Sequence, residues 1–203
     1  GESSAAEALV VRMVSSVDKN SKVNKHVHHG FSGSADGYAA NFEYRSKTLF
    51  LFQRLDGIDV LLFVMYVQEY DADCAPPNQR QVYISYLDSV QYFRPRRLRT
   101  NVYHTLIVSY LEFVKERGFV GAHIWACPPL RSGSYIFCTR PVEQQVPTGQ
   151  RLRAWYQQML VVAQERGTCV GQTTMYDKYF ENMGDPNGTR KKSKGGGQRK
   201  SAG

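Results

Sequence analysis

The stretch SKTLFLFQRLDGIDVLLFVMYVQEY (46–70) constrains the fold most, because two long apolar runs are separated only by Asp56-Gly57. Asp-Gly tolerates the positive φ angles of a tight hairpin turn, so the stretch reads as two antiparallel strands. Such a hairpin needs a core around it, and a chain of 203 residues, 42% hydrophobic and 12% aromatic, can build one. Around it, EALVVRMVSSV (7–17) is a β-branched strand, 18–41 a polar loop, and RQVYISYLDSV (80–90) a further strand entered from Pro76-Pro77. Val102, Leu106, Tyr110 and Val114 recur every four residues and Gly118 stops them, which predicts an amphipathic helix over 100–117. Strands at about 121–126 and 134–138 flank a Pro-rich loop, and Leu152, Trp155, Met159, Leu160 and Ala163 mark a second helix ending at Gly167. The order predicts an α/β domain with a central mixed, mainly antiparallel sheet flanked by helices.

The net charge of +8 is unevenly distributed. Residues 184–203 carry Arg190, Lys191, Lys192, Lys194, Arg199 and Lys200 against Asp185, a net of +5, which leaves +3 on the other 183 residues. This Gly/Ser/Lys segment is read as a flexible basic appendage to a domain over 1–183. A solvated linker is its simplest role; nuclear targeting and direct nucleic-acid contact are the alternatives. No apolar run approaches the roughly 20 residues of a membrane helix, and the N-terminus lacks a signal-peptide pattern, so the chain is read as soluble and intracellular, with no membrane partner. Cys74, Cys127, Cys138 and Cys169 form no C-x-x-C pair, which favours reduced thiols over a disulfide framework.

Several chemistries are weak on spacing alone. Cys127 and His123 lie on or beside one strand, where four residues span roughly 13 Å, too far for a nucleophile and its base. His26, His28 and His29 have no cysteine or carboxylate at ligand spacing, so no metal site is expected. Neither a G-x-x-x-x-G-K-[ST] nor a G-x-G-x-x-G loop is present. What remains is YLDSVQYFRPRRLRTNVYHT (86–105), where a strand ends in Leu-Asp-Ser and an Arg-rich loop enters a helix. A helix N-terminus attracts anions, so Arg94, Arg96, Arg97, Arg99 and Thr100 suit a phosphate-bearing ligand. A capped surface helix with solvated arginines explains the same spacing.

The ordered series PPNQRQVYISYLDSVQYFRPRRLRTNVYH, IWACPP, YIF and RLRAWYQQML, with the hairpin and EALVVRMVSSVDK upstream, closely resembles the acetyltransferase domain of the p300/CBP family, especially its plant and protist branch. The resemblance covers about residues 7–180. It implies transfer of acetyl from acetyl-CoA to lysine amines of histone tails and other nuclear proteins, in the nucleus, in a transcriptional coactivator that meets transcription factors through regions outside this chain. It also implies that the loop from Pro128 to Pro147 folds over the coenzyme.

Carried over by motif, Leu87, Asp88 and Ser89 contact the pantetheine arm and Arg99 and Thr100 the coenzyme phosphates, with Tyr135, Val146, Arg151 and Trp155 also on the coenzyme side. Trp125 lines the lysine tunnel, Tyr156 matches the proposed general acid, and Ser46, Ser85 and Tyr86 surround the protein substrate. By its helical position alone, the Tyr156 ring reads as core. The chain departs from the family pattern at Gln91, where many relatives are basic or carry imidazole, and in a 128–148 loop poorer in lysine than in animal members. It also lacks the helical segment that precedes the family's first strand and the aromatic-acidic segment that follows. It is therefore expected to be a fragment of the catalytic domain of a larger protein with zinc-binding reader modules. The alternative is a catalytically incomplete chromatin- or protein-binding module that retains the fold.

Overall fold

A computed structural model describes residues 9–31, 39–128 and 135–180. The chain divides into two units, 1–169 and 170–203. The first contains one sheet in the order β1 (Leu9–Lys22), β2 (Asn41–Leu55), β3 (Ile58–Tyr70), β4 (Gln81–Ser89) and β5 (Gly121–Ile124). β1 to β4 form an antiparallel meander, and β5 adds to β4 in parallel. Parallel neighbours require a crossover, supplied here by α2 (Arg99–Glu116). Helices α1 (Lys25–Phe31) and α3 (Gly149–Glu165) complete this unit, which is the mixed α/β architecture expected. In the second unit α4 (Met175–Phe180) starts behind Thr174, whose hydroxyl accepts from the Asp177 N–H at 3.1 Å, a side-chain N-cap.

Local chemistry explains the elements. The β2–β3 turn places Asp56 at φ 50° and Gly57 at φ 83°, the two positive angles a two-residue hairpin demands. Along α2 the buried side chains are Tyr103, His104, Ile107, Val108, Tyr110, Leu111 and Val114, one helical stripe. Val102 and Leu106 trace the edge of that stripe and are only partly buried. Gly118 (φ 91°) donates to the Lys115 carbonyl at 2.9 Å while Phe119 donates to Val114 at 3.1 Å, a paired arrangement that closes α2 around a left-handed residue. Gly167 and Thr168 close α3 in the same way, through Gln164 and Ala163. Between sheet and helices lies a core of Leu51, Phe63, Met65, Ile84, Ile107 and Met159, among others.

Two expectations are corrected. The polar stretch 18–41 is not one loop: β1 runs on to Lys22, and Lys25–Phe31 forms a short helix with the Asn24 side chain accepting from the His26 N–H. β1 continues because β2 pairs with it through Lys22↔Asn41, and an edge strand tolerates polar residues that a core strand would not. Residues 135–138 form no strand, since the carboxylate of Asp88 occupies the N–H groups of Ile136 and Phe137 that a ladder would use.

One buried charge binds sheet to helix. Glu69 on β3 is 2% exposed and accepts from Lys47 Nζ (2.7 Å) on β2, Arg117 (2.8 Å) just past α2, and the Tyr110 hydroxyl (3.1 Å). Arg117 also lies over the rings of Phe113 and Phe119. Glu69→Ala strands the buried Lys47 ammonium. It is expected to lower unfolding free energy by roughly 3 kcal/mol or more, read from the urea midpoint. A loss below about 1 kcal/mol, the value of an exposed pair, would contradict this.

Candidate active site

The site is built on the carboxyl end of β4. Tyr66 pairs with Tyr86 but Val67 pairs with Ile84, so Ser85 is the extra residue of a β-bulge. Its hydroxyl donates to the Tyr66 carbonyl at 3.3 Å. One extra residue reverses which face each later side chain takes. Val82 and Ile84 lie in the core and Leu87 packs against it, whereas Tyr86 is released from that face and is 52% exposed.

Asp88 shares the face of Tyr86 and is buried under the segment that follows β5. One carboxylate oxygen accepts from the N–H groups of Ile136 (3.0 Å) and Phe137 (3.1 Å) and from the Arg140 guanidinium (2.6 Å), while the other accepts from the Ser89 N–H (2.9 Å). Four residues on, Gln144 repeats the connection in neutral form: its amide donates to the Ser89 carbonyl at 2.9 Å and accepts from the Gln91 N–H at 3.0 Å. The loop thereby brings Tyr135 onto Tyr86, with ring centroids 5.9 Å apart, and Tyr86 in turn meets Tyr66 edge-on at 6.2 Å.

The entry to α2 has the character of an anion site. Its N-cap, Leu98, offers no side-chain hydrogen bond, and the first turn contains no acid. At this end one guanidinium nitrogen of Arg99 is buried without a hydrogen-bond partner, and Thr100 is half-buried beside it. The preceding loop is fixed from below: Val90 donates to the Leu62 carbonyl, and the Gln53 side chain both accepts from the Arg94 N–H and donates to its carbonyl.

From α3, Trp155 and Tyr156 complete the aromatic group. Trp155 is half-buried, 4.5 Å from the His104 ring and 5.1 Å from Tyr156. Tyr156 is buried, and burial, with the Tyr135 phenol as a smaller contributor, pushes its pKa well above the ordinary phenol value. Tyr135 is pushed up to about 12, mainly by burial, with Tyr86 and Asp88 adding to it. Burial holds His104 below its usual value and hence neutral, with its Nε2 unpartnered. Val146 is half-buried before α3, and Arg151 is exposed on its first turn, with its N–H on the Thr148 hydroxyl.

The remaining expected residues lie apart from this group to different degrees. Trp125 follows β5 directly, 63% exposed, its N–H reaching the Ile84 carbonyl at 3.4 Å. Ser46 on β2 pairs with Gln68, which pairs with Tyr83, so it sits two strands from β4, about 10 Å, and in the row of Tyr83. Cys127 is exposed and its thiol turns to the Pro128 carbonyl. Sequence reasoning missed Arg140, Gln144 and Gln53. Their signal was slight: polar residues in a Pro-rich segment, or on a strand, that proved to be tied across 41 to 55 residues of chain.

A mixed sheet with an anion-suited helix entry beyond the end of β4, and a tethered aromatic loop beside it, defines the class as an α/β domain with a candidate ligand site at that corner. Comparison with known proteins is specific: the family model "Histone acetyltransferase domain KAT3" matches residues 2–179. "Probable histone acetyltransferase HAC-like 1" of Oryza sativa subsp. japonica is 48% identical over 187 residues, 89% of this chain and 11% of that protein. "Histone acetyltransferase HAC1" of Arabidopsis thaliana is 46% identical over 187 residues, with the same coverage, and "Protein cbp-1" of Caenorhabditis elegans 40% identical over 179 residues, 88% of this chain and 9% of that protein. The chain belongs to the KAT3 histone acetyltransferase domain family, as its p300/CBP-like motifs indicated. It spans about a tenth of the length of these relatives.

The buried phenols carry a pH signature. Tyr70, Tyr103, Tyr110, Tyr135 and Tyr156 all have pKa values raised chiefly by burial. In the unfolded chain they ionise near about 10. Above that pH the unfolded chain binds fewer protons than the native one, so stability falls as pH rises. The decline should run from about pH 10 to about 12, where Tyr70 and Tyr135 begin to ionise in the fold. Tyrosinate absorbance should rise together with loss of circular dichroism, and Tyr156→Phe should shallow the decline. Full phenol ionisation in a chain that stays folded would contradict it.

Proposed function

We propose that this chain forms the core of a lysine acetyltransferase that takes acetyl from acetyl-CoA and delivers it to ε-amines of histone tails and other nuclear proteins, as part of a transcriptional coactivator in the nucleus. Beyond family membership, the observation that carries this reading is the unpartnered, buried guanidinium nitrogen of Arg99 at the uncapped start of α2. Leaving a buried cationic donor unmade is costly, and a phosphate group suits both its charge and a helix entry whose first turn holds no acid. With Thr100 it would hold the coenzyme phosphates. Leu87 and Ser89 at the end of β4, with Val146, Arg151 and Trp155 around α3, would line the rest of the coenzyme path. The Asp88 carboxylate is committed to the loop, so Asp88 serves the coenzyme by anchoring its cover.

Acetyl-CoA supplies the activated acetyl group; the chain's own residues prepare the amine and manage protons. A lysine amine has a pKa of about 10.4 and must lose its proton before it can attack. Tyr86, with Tyr135 tilted against it and exposed Trp125 beyond β5, offers aromatic walls that disfavour the charged form, and Ser46, Ser85 and Tyr86 would receive the flanking peptide. Tyr156 is the proton donor to the departing sulfur. Its raised pKa keeps the hydroxyl protonated at neutral pH but makes it a reluctant acid. The phenol therefore gives its proton to sulfur as it takes one from the attacking nitrogen, and no free phenolate accumulates.

Arg99→Ala should weaken acetyl-CoA binding about tenfold or more by calorimetry, the loss expected for a charge-assisted contact. Unchanged affinity in a folded variant would remove Arg99 from the site. Tyr156→Phe keeps the ring and should leave stability and acetyl-CoA affinity nearly unchanged, while turnover on a histone peptide falls roughly 10²-fold. A rate within a few-fold of the parent would leave Tyr156 as a core residue. Coenzyme binding with no turnover, in this chain and in one extended by its native flanking sequence, would make the domain a binding module instead.

A further inference from the structure

We propose that Arg140 is a positioning residue for the lysine-accepting channel: by pairing with Asp88 it fixes Tyr135 against Tyr86, a role that rests on the acetyltransferase reading. Asp88 is 6% exposed, and three of its four hydrogen-bond donors are backbone N–H groups, which solvate a carboxylate but do not neutralise it. The fourth, the Arg140 guanidinium at 2.6 Å, balances the charge, and its own side chain is only 20% exposed, so solvent screens the pair little. Asp88 is held on β4, whose pairing with β3 runs on to Ser89. The rigid partner is thus the sheet, and the segment positioned is the loop.

Among the described residues, 135–148 belong to no helix or strand, so side-chain tethers decide the path of this segment. Gln144 secures its later part to Ser89 and Gln91. Asp88 and Arg140 secure its earlier part, closing residues 136–140 around one carboxylate oxygen. Tyr135 stands immediately before the first tethered N–H, so the Tyr135–Ile136 peptide plane is set by that bond. The ring then meets Tyr86 at 5.9 Å with an interplanar angle of 56°. Removing the guanidinium leaves an unbalanced buried charge, and the loop shifts to admit water to it. A displacement of about 1 Å at a reacting centre costs up to roughly 10²-fold in rate.

The test follows Tyr135 directly and turnover separately. The chain is labelled with 3-fluorotyrosine, and the Tyr135 fluorine resonance is assigned by its loss in Tyr135→Phe. In Arg140→Met, which keeps the apolar stem, that resonance should shift or broaden. On a histone peptide kcat should fall about tenfold or more, with a smaller change in KM for acetyl-CoA. Arg140→Lys, which restores the charge and one donor, should recover most of both. An unmoved resonance in Arg140→Met, or a lysine variant no better than methionine, would overturn the proposal. Should Arg140→Met not fold, the resonance is read in the Asp88→Asn/Arg140→Met double variant, where an unmoved signal again overturns it. A parent that binds acetyl-CoA yet never turns over sinks the acetyltransferase reading, while the fluorine signal still decides the role of Arg140.

Discussion

Strand β4 is held along both edges, antiparallel to β3 and parallel to β5, and every part of the candidate site depends on its carboxyl end. A parallel neighbour cannot be reached by a tight turn, so the chain must leave β4, climb through α2 and return. That requirement stations the start of α2 just beyond Ser89, and the loop after β5 comes back to the same place, where Asp88 and Ser89 receive it. The anion-suited helix entry and the aromatic loop are near one another because both are consequences of one crossover.

Within that arrangement the bulge at Ser85 divides β4 into two functions. Below it Val82 and Ile84 face the core; above it Tyr86 and Asp88 are free of the core face and available to the loop. Among the described residues the two buried acids, Glu69 and Asp88, gather donors in different service. Glu69 gathers Lys47, Tyr110 and Arg117 from β2, α2 and the turn beyond it, and so secures helix to sheet at the opposite end of β3. Asp88 gathers backbone N–H groups and one arginine, and so secures a segment with no regular structure of its own.

What could be read from the sequence was whatever the local pattern determines. The Asp56-Gly57 turn, the face of α2 and the closing glycines Gly118 and Gly167 express backbone freedom and apolar spacing, and these are properties of neighbouring residues. The motif resemblance reached further, and the KAT3 match bears out the family it named. The strand expected at 134–138 failed because a side chain about 50 residues upstream outcompetes a ladder for the N–H groups of Ile136 and Phe137. No period in the sequence announces the extra residue at Ser85, since a bulge is a relation between two strands. Arg140 and Gln144 looked like solvated loop residues until the fold supplied their partners.

The span of the Asp88 tether has a consequence for the chain as it is made. Ile136, Phe137 and Arg140 lie 48, 49 and 52 residues after the carboxylate that holds them. Ribosomes add roughly 5–20 residues each second, so Asp88 leaves the peptidyl-transferase centre roughly 3 to 10 s before its last partner is synthesised. The β1–β4 meander needs no residue beyond Ser89 to pair, while an uncompensated carboxylate keeps the end of β4 wet until the loop is made. Translation therefore supplies every strand of the meander before the segment that covers its corner.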